Sequence, residues 1–440
     1  MKILQIVTKN TSTLDFTLPI FWGLKKYKVN SEVNVFYCVG DKKRILRQSK
    51  FFSNELGDYG ASELDYIDVL RLKNRCLTKL VRRLCQKSFS DHNSFDGLQS
   101  NWHKFFIFYQ TIIPFVQKKL IYLLECWIAR KLNFEDFLKQ SSPDLIILDN
   151  RNDPRFPGAK NLFNVIFASD IPKIIIPHAP HFIDPYYVFS PVNPYGKDFY
   201  PECEAWIPFK YSDAKKNHSS IMHNFHYVGY PGFDEEWVDH CKKKLIPKNK
   251  DIVCLYIGRK FLDQHIKKPK NLDYATMDYD SVLSDLLLIK SSFLKLGEKI
   301  TLIFKPHPSS NYKLVAKVIN AASFDNYEIT HEPLFAQTDK VDIVISSYST
   351  SVLVPVIAGT PTIVFNSEVQ KTANSGWSRV ADLYTGLSYF IEPNELTETI
   401  EGILYGPGKK EKDITHLRGF FPDGAIQRSI KRLISLKHKR

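Results

Sequence analysis

The strongest constraint on this chain is a rhythm. Short runs rich in Val, Ile and Leu recur along its 440 residues, with stretches of helical pattern between them. KILQIV, VNVFYCV, DLIILD, KIIIPH and HYVGY lie before residue 235, and DIVCLYIG, KITLIFKP, VDIVISS, PTIVF and LSYFI lie after it. Continuous apolar strands of this kind are covered on both faces, the condition of a parallel sheet. Alternation of strand and helix then fixes the class as α/β.

A chain of this length exceeds one ordinary core. The lysine-rich stretch DHCKKKLIPKNKD, Asp239 to Asp251, reads as a linker. The expected architecture is two Rossmann-like domains facing across a cleft. They span 1–240 and 250–395, with a helical insertion at about 69–132 in the first and a helical segment over 396–440. That last segment ends in DGAIQRSIKRLISLKHKR, with Asp423 as expected N-cap and Ile426, Ile430, Leu433 and Ile434 at helical spacing.

Sixty Lys and Arg against 47 Asp and Glu give a net charge of +13, which suits an anionic partner. No zinc-finger spacing and no RNP-type aromatic motif is present, so nucleic acid is not the expected partner. Seven scattered cysteines without a C-x-x-C pair read as a reducing compartment and no zinc site. The apolar part of MKILQIVTKNTST is too short for a signal peptide and reads as a first strand. The longest apolar region, FFIFYQTIIPFVQKKLIYLLECWIARKL, is broken by Pro114, Lys118 and Lys119 and does not span a membrane. A cytoplasmic protein is expected. RLKNRCLTKLVRRLCQK, Arg71 to Lys87, carries many cations and no acid. It is either the solvated face of a packed helix or a contact to an anionic membrane at the inner face of the cytoplasmic membrane.

Chemistry-bearing residues gather at strand ends, where open α/β sheets bind ligands. In TLIFKPHPSSNY, Lys305 and His307 follow a strand, and Pro306 and Pro308 stiffen the turn that holds them. A fixed cation and a titratable donor suit a phosphate. In VDIVISSYSTSVLVPVIAGTPTIVF, a strand runs into Ser346, Ser347, Ser349, Thr350 and Ser351 ahead of an apolar helix. Helix capping needs one hydroxyl, and five at one turn point to an anion site. Gly258 and Arg259 end the strand DIVCLYIG, and Glu332 lies in YEITHEPLF between the two motifs. Neither G-x-G-x-x-G nor G-x-x-x-x-G-K-[ST] occurs, so dinucleotide and P-loop nucleotide sites lack their fingerprints.

The first domain is expected to supply the acceptor side. DLIILDNRNDPRFPG sets Asp149, Arg151 and Arg155 after a strand. Asp149 suits a general base or nucleophile, and the arginines either hold an anion or order the loop by ion pairing. IIIPHAPHFIDP sets His178 and His181 after the next strand, for hydrogen-bonding or acid–base work rather than metal. In YVGYPGFDEEW, Asp234 is either a site carboxylate or the N-cap of the helix that starts there.

The order of these motifs resembles that of GT-B glycosyltransferases, and among them the bacterial capsule polysaccharide synthesis proteins and β-Kdo transferases. These use CMP-activated sugars and are similar to bacterial sialyl- and polysialyltransferases. The family's His-Pro motif maps onto Lys305-Pro306-His307-Pro308 and its serine-rich motif onto Ser346 to Ser351. The resemblance implies a retaining transfer of an acidic sugar, Kdo from CMP-Kdo, to a lipopolysaccharide, capsule, O-antigen or other lipid-linked glycan. It implies no cofactor and no metal, with the phosphate held by cations and N–H donors. It implies a nucleophilic aspartate, for which Asp234 in GYPGFD is the first match and Asp149 the second. The acidic motif of sialyltransferases has no clear counterpart, which favours Kdo. Three enzymes of the same layout stay open: a sialyltransferase, a CDP-glycerol phosphotransferase and a UDP-sugar 2-epimerase. So does a non-catalytic docking module of a capsule assembly complex.

Overall fold

The computed structural model describes residues 1–7, 12–39, 42, 49–69, 120, 122–124, 126–149, 159–177, 203–208, 225–243, 251–258, 260–261, 276–277, 279–307, 310, 312–346, 349–365, 389–406 and 415–438. The chain forms two compact units. One comprises Met1–Ala179, Val188–Pro231 and Ile426–Arg440, and the other is chiefly Gly232–Ala425. The division falls at Pro231/Gly232, ahead of the lysine-rich stretch expected as the linker. That stretch begins inside the helix Glu235–Lys243. The C-terminal segment 396–440 is likewise shared between the units rather than standing alone.

The first unit is built on a seven-stranded parallel sheet. Its strands are β1 (Lys2–Val7), β2 (Glu32–Tyr37), β3 (Ser62–Asp65), β4 (Leu145–Asp149), β5 (Lys173–Ile176), β6 (Glu204–Ile207) and β7 (Phe225–Tyr227). They lie in the order β3-β2-β1-β4-β5-β6-β7. The order reverses between β1 and β4, and the last residue of β4 is Asp149. One face of the sheet carries a core of Leu4, Ile6, Phe36, Ile146 and Leu148 closed by Phe134, Phe137, Leu162 and Ile166. The helix Ser12–Lys26 meets the C-terminal helix Ala425–Lys437 at Gly23. A Cβ there would lie 2.3 Å from Ile426 Cγ2, so only glycine lets the helices come this close. Of the apolar positions expected in the C-terminal helix, Ile426, Ile430 and Leu433 are buried and Ile434 is half-buried. Arg432 ties this helix to β6 by donating from Nε to Glu204 at 2.8 Å.

The second unit carries a six-stranded parallel sheet of β8 (Ile252–Ile257), β11 (Ile300–Lys305), β12 (Asn326–Ile329), β13 (Ile343–Ser346), β14 (Thr362–Phe365) and β15 (Tyr389–Ile391). A two-residue pair, β9 (Lys260–Phe261) and β10 (Thr276–Met277), stands apart from it. The order is β12-β11-β8-β13-β14-β15, with the reversal between β8 and β13. The helices Tyr279–Lys295, Tyr312–Ala321 and Leu396–Tyr405 cover one face through Leu286, Ile289, Val315, Val318 and Ile400.

Both sheets use one device at the reversal. An aspartate directly before the strand across the switch brackets the backbone of the first strand. Asp144 accepts from Lys2 N at 2.7 Å and donates its own N–H to Lys2 O at 2.8 Å. Asp342 does the same for Val253, at 2.9 Å each way. These brackets fix the register of the central strands at their N-terminal ends, and so the level at which the C-terminal ends stop.

Candidate nucleotide site at the strand ends of the second unit

Register determines what this site can gather. Ile257 in β8 is level with Lys305 in β11 on one side and Ser346 in β13 on the other. On β12, Ile329 is level with Phe304. Neighbouring strands are about 4.8 Å apart. Gly258, Lys305, the His331–Glu332 turn and the Ser346–Ser351 turn therefore emerge from one edge, within four adjacent strands. This edge includes the reversal, where α/β sheets open a crevice at their carboxyl ends.

Gly258 forms the floor. It is buried, and its N–H donates to Lys305 O at 2.9 Å. A Cβ would sit 2.8 Å from Phe304 Cε1, so the ring of the neighbouring strand excludes any side chain. Lys305 is half-buried, Pro306 is buried and His307 is exposed. Lys305 Nζ donates to His331 O at 3.2 Å, which braces the turn after β12 against the end of β11. The His307 carbonyl accepts from Ser310 N at 2.8 Å, while the buried Ser310 Oγ accepts from Phe261 N at 3.1 Å. Ser310 is thus tied both to His307 and to Phe261, and the His307 side chain is on the surface.

Two residues here went unremarked in the sequence. The ring of His331 lies 4.4 Å, centroid to centroid, from that of Tyr312, the first residue of the helix Tyr312–Ala321. Burial lowers the His331 imidazole and the nearby Lys305 cation lowers it further, with Glu332 opposing. Burial pushes the Tyr312 hydroxyl up to about 12. Glu332 is half-buried, and its N–H donates to Thr330 Oγ1 at 3.2 Å. Lysine, two histidines and a glutamate thus converge on one edge.

The serine turn is more selective than its sequence suggests. Ser346 is fully buried and donates its hydroxyl to Ile257 O at 3.2 Å. It ties β13 to β8. Ser349 is half-buried, and its Oγ accepts from Ser351 N at 3.3 Å. Thr350–Val352 forms a 3-10 turn, followed by a helix of only five residues, Leu353–Ile357. A helix this short has little macrodipole, so what the turn can offer an anion is hydroxyls and backbone N–H groups. Thr350 is placed in backbone only, and Ser347 lies outside the described residues.

Asp234 is drawn into the structure rather than presented at it. It is 2% exposed. Its Oδ1 accepts from Ala425 N at 3.0 Å, and its carbonyl accepts from Val238 N at 3.0 Å, the first turn of the helix Glu235–Lys243. Its carboxylate thus serves the start of the C-terminal helix, while its backbone begins the helix Glu235–Lys243. Asp423, the expected cap of the C-terminal helix, pairs with Arg418 at 2.6 Å and accepts from Glu235 N at 3.2 Å. Arg418 also donates to Phe233 O at 2.9 Å.

In the first unit, Asp149 stands at the carboxyl end of β4, level with Ile176 of β5 and beside the sheet's reversal point. Arg151, Arg155, His178 and His181 lie outside the described residues, as do Arg259 and the basic stretch 71–87.

Solved structures share this architecture over the whole chain. A UDP-N-acetylglucosamine 2-epimerase aligns with a TM-score of 0.55, covering 100% of this chain and 97% of its own at 11% identity. The fold is GT-B. The Staphylococcus aureus protein MnaA, solved with UDP, aligns at 0.52 over 99% of this chain and 97% of its own, at 11% identity. The UDP-GlcNAc 2-epimerase of Methanocaldococcus jannaschii aligns at 0.51 over 99% of each chain, at 13% identity. No family model and no curated protein matches the sequence.

Proposed function

We propose that the strand ends of the second unit bind the phosphate and sugar of an activated nucleotide, and that the protein is a glycosyltransferase using a CMP-activated acidic sugar, Kdo in the first instance. The observation that carries the reading is the common level of Lys305, Ile257 and Ser346, which brings the KPHP turn and the serine turn to one edge. Lys305 and His307 supply charge and a donor to the phosphate. Ser349, Thr350 and Ser351 supply hydroxyl and backbone donors across Gly258, and we assign Glu332 to the ribose hydroxyls. In the reaction the bond between the anomeric carbon and the CMP oxygen breaks. The electron pair leaves on the phosphate, where cations and N–H dipoles stabilise it. The acceptor hydroxyl forms the new bond and loses its proton to a carboxylate. We do not assign that role to Asp234, whose carboxylate accepts from Ala425 N. No metal is required of this scheme, and a lipid-linked glycan is the proposed acceptor.

A second reading is a UDP-sugar 2-epimerase, favoured by the whole-chain likeness to such enzymes. Melting the protein with CMP, CDP or UDP separates the two, because a ligand bound only by the native state raises the transition. Stabilisation by CMP that His307→Ala removes, with sugar transferred from CMP-Kdo to a glycan, supports the first reading. Stabilisation by UDP alone, with a free epimerised sugar as product, replaces it by the second.

A further inference from the structure

The helical residues around 120–131 expose a face that the nucleotide reading does not use. Nine large apolar side chains are exposed among the described residues, and four of them, Leu120, Tyr122, Leu123 and Trp127, fall within about two turns here. Leu120, Leu123 and Trp127 are 54%, 56% and 45% exposed. Their spacing of three and four residues sets them on one stripe of the helix. The opposite stripe is accounted for: Ile128 and Ala129 are buried in the first unit's core, and Leu124 and Leu132 pack against it. At about 100° per residue, the exposed Arg130 and Lys131 fall on either side of the Leu120–Leu123–Trp127 stripe. A helix that already buries one apolar face in its own core has no internal need for a second.

We propose that this face is a docking surface for an anionic lipid bilayer, with Leu120, Leu123 and Trp127 entering the headgroup region and Arg130 and Lys131 pairing with lipid phosphates. Charge complementarity selects this occupant. Cations flank the apolar stripe, no described acidic side chain lies on it, and the chain carries +13 overall. Tryptophan and leucine beside Lys and Arg are the composition of interfacial helices. No helix among the described residues is long and apolar enough to cross a membrane, so the contact is one of lying on the surface. The inference rests on this helix alone and stands or falls apart from the nucleotide site.

The test is sedimentation of the full chain with vesicles of phosphatidylcholine, with and without phosphatidylglycerol. Binding to the anionic vesicles is expected, with Trp127 fluorescence quenched by brominated lipid and that quenching lost in Trp127→Phe. Leu123→Ser with Trp127→Ser should weaken vesicle affinity by at least about tenfold with the melting transition unchanged, because both side chains are on the surface. Arg130→Gln and Lys131→Gln should each weaken it by about fivefold. Equal binding to neutral vesicles, no binding to either, or binding indifferent to Leu123→Ser/Trp127→Ser overturns the proposal. So does a lipid-free dimer, seen by light scattering, that the same double variant dissociates, since the face would then belong to a second copy.

Discussion

Replacing Asp234 tests the boundary between stability and catalysis in this fold. The carboxylate is 2% exposed and takes the N–H of Ala425, itself 1% exposed and 191 residues away in sequence. In Asp234→Ala that N–H stays buried without its acceptor, at a cost of about 1–3 kcal/mol. Removing a negative charge from the start of the helix Glu235–Lys243 adds up to about 1 kcal/mol. A total of about 1–4 kcal/mol corresponds to a fall of roughly 2–16 °C in the transition of a unit this size. Asp234→Asn keeps an oxygen acceptor and loses only the charge, so its fall should stay near 2–4 °C. Melting by circular dichroism and turnover of CMP-Kdo at a temperature well below both transitions are the paired assays. The capping role requires Asp234→Asn to retain turnover within a few fold. A loss of about three orders of magnitude with an unchanged transition is what a nucleophile would give. That result would refute the reasoning and return the bond-making role to Asp234.

Other perturbations follow from the same geometry. Lys305→Met and His307→Ala should each weaken CMP binding by about 10–100-fold in titration calorimetry, the worth of a hydrogen bond to a charged group. Gly258→Ala should lower both stability, by about 1–3 kcal/mol in denaturant melts, and nucleotide affinity, because its Cβ meets Phe304 at 2.8 Å. His331 makes stability depend on pH. Its folded pKa lies below the ordinary 6.5, so the unfolded chain binds more protons between the two values, and stability falls as pH drops through that window. His331→Gln should flatten the melting temperature below about pH 6.5, and an unchanged slope would contradict the assignment. Arg432→Ala should cost about 1.5–3 kcal/mol in the first unit by leaving the Glu204 carboxylate, 10% exposed, without its guanidinium partner.

Part of this architecture was readable because burial on both faces leaves a continuous apolar signature. β1, β4, β8 and β13, the four strands at the two reversals, are such runs, and reading them was enough to place the motifs after them. The strands with the weakest signature are short and mixed: SELD and NYEI form the edges β3 and β12, the second read only as a short element near YEITHEPLF, and EAWI forms β6. β12 is mostly exposed along its length, so nothing in its composition separates it from a loop. The site divided along the same line. That hydroxyls gather after VDIVIS is local information. Which of them face a ligand is not. Ser346, last in the strand, is level with Ile257 and bonds its carbonyl, while Ser349, three residues on, has left the ladder and turns back on Ser351. Asp234 shows the limit most plainly. Its position before a helix was legible as an N-cap, but its second partner is set by the fold and not by the neighbouring sequence. A carboxylate at a domain exit therefore cannot be assigned to catalysis by motif order alone. It must first be left over once the helix ends within reach have taken their acceptors, and Asp234 is not.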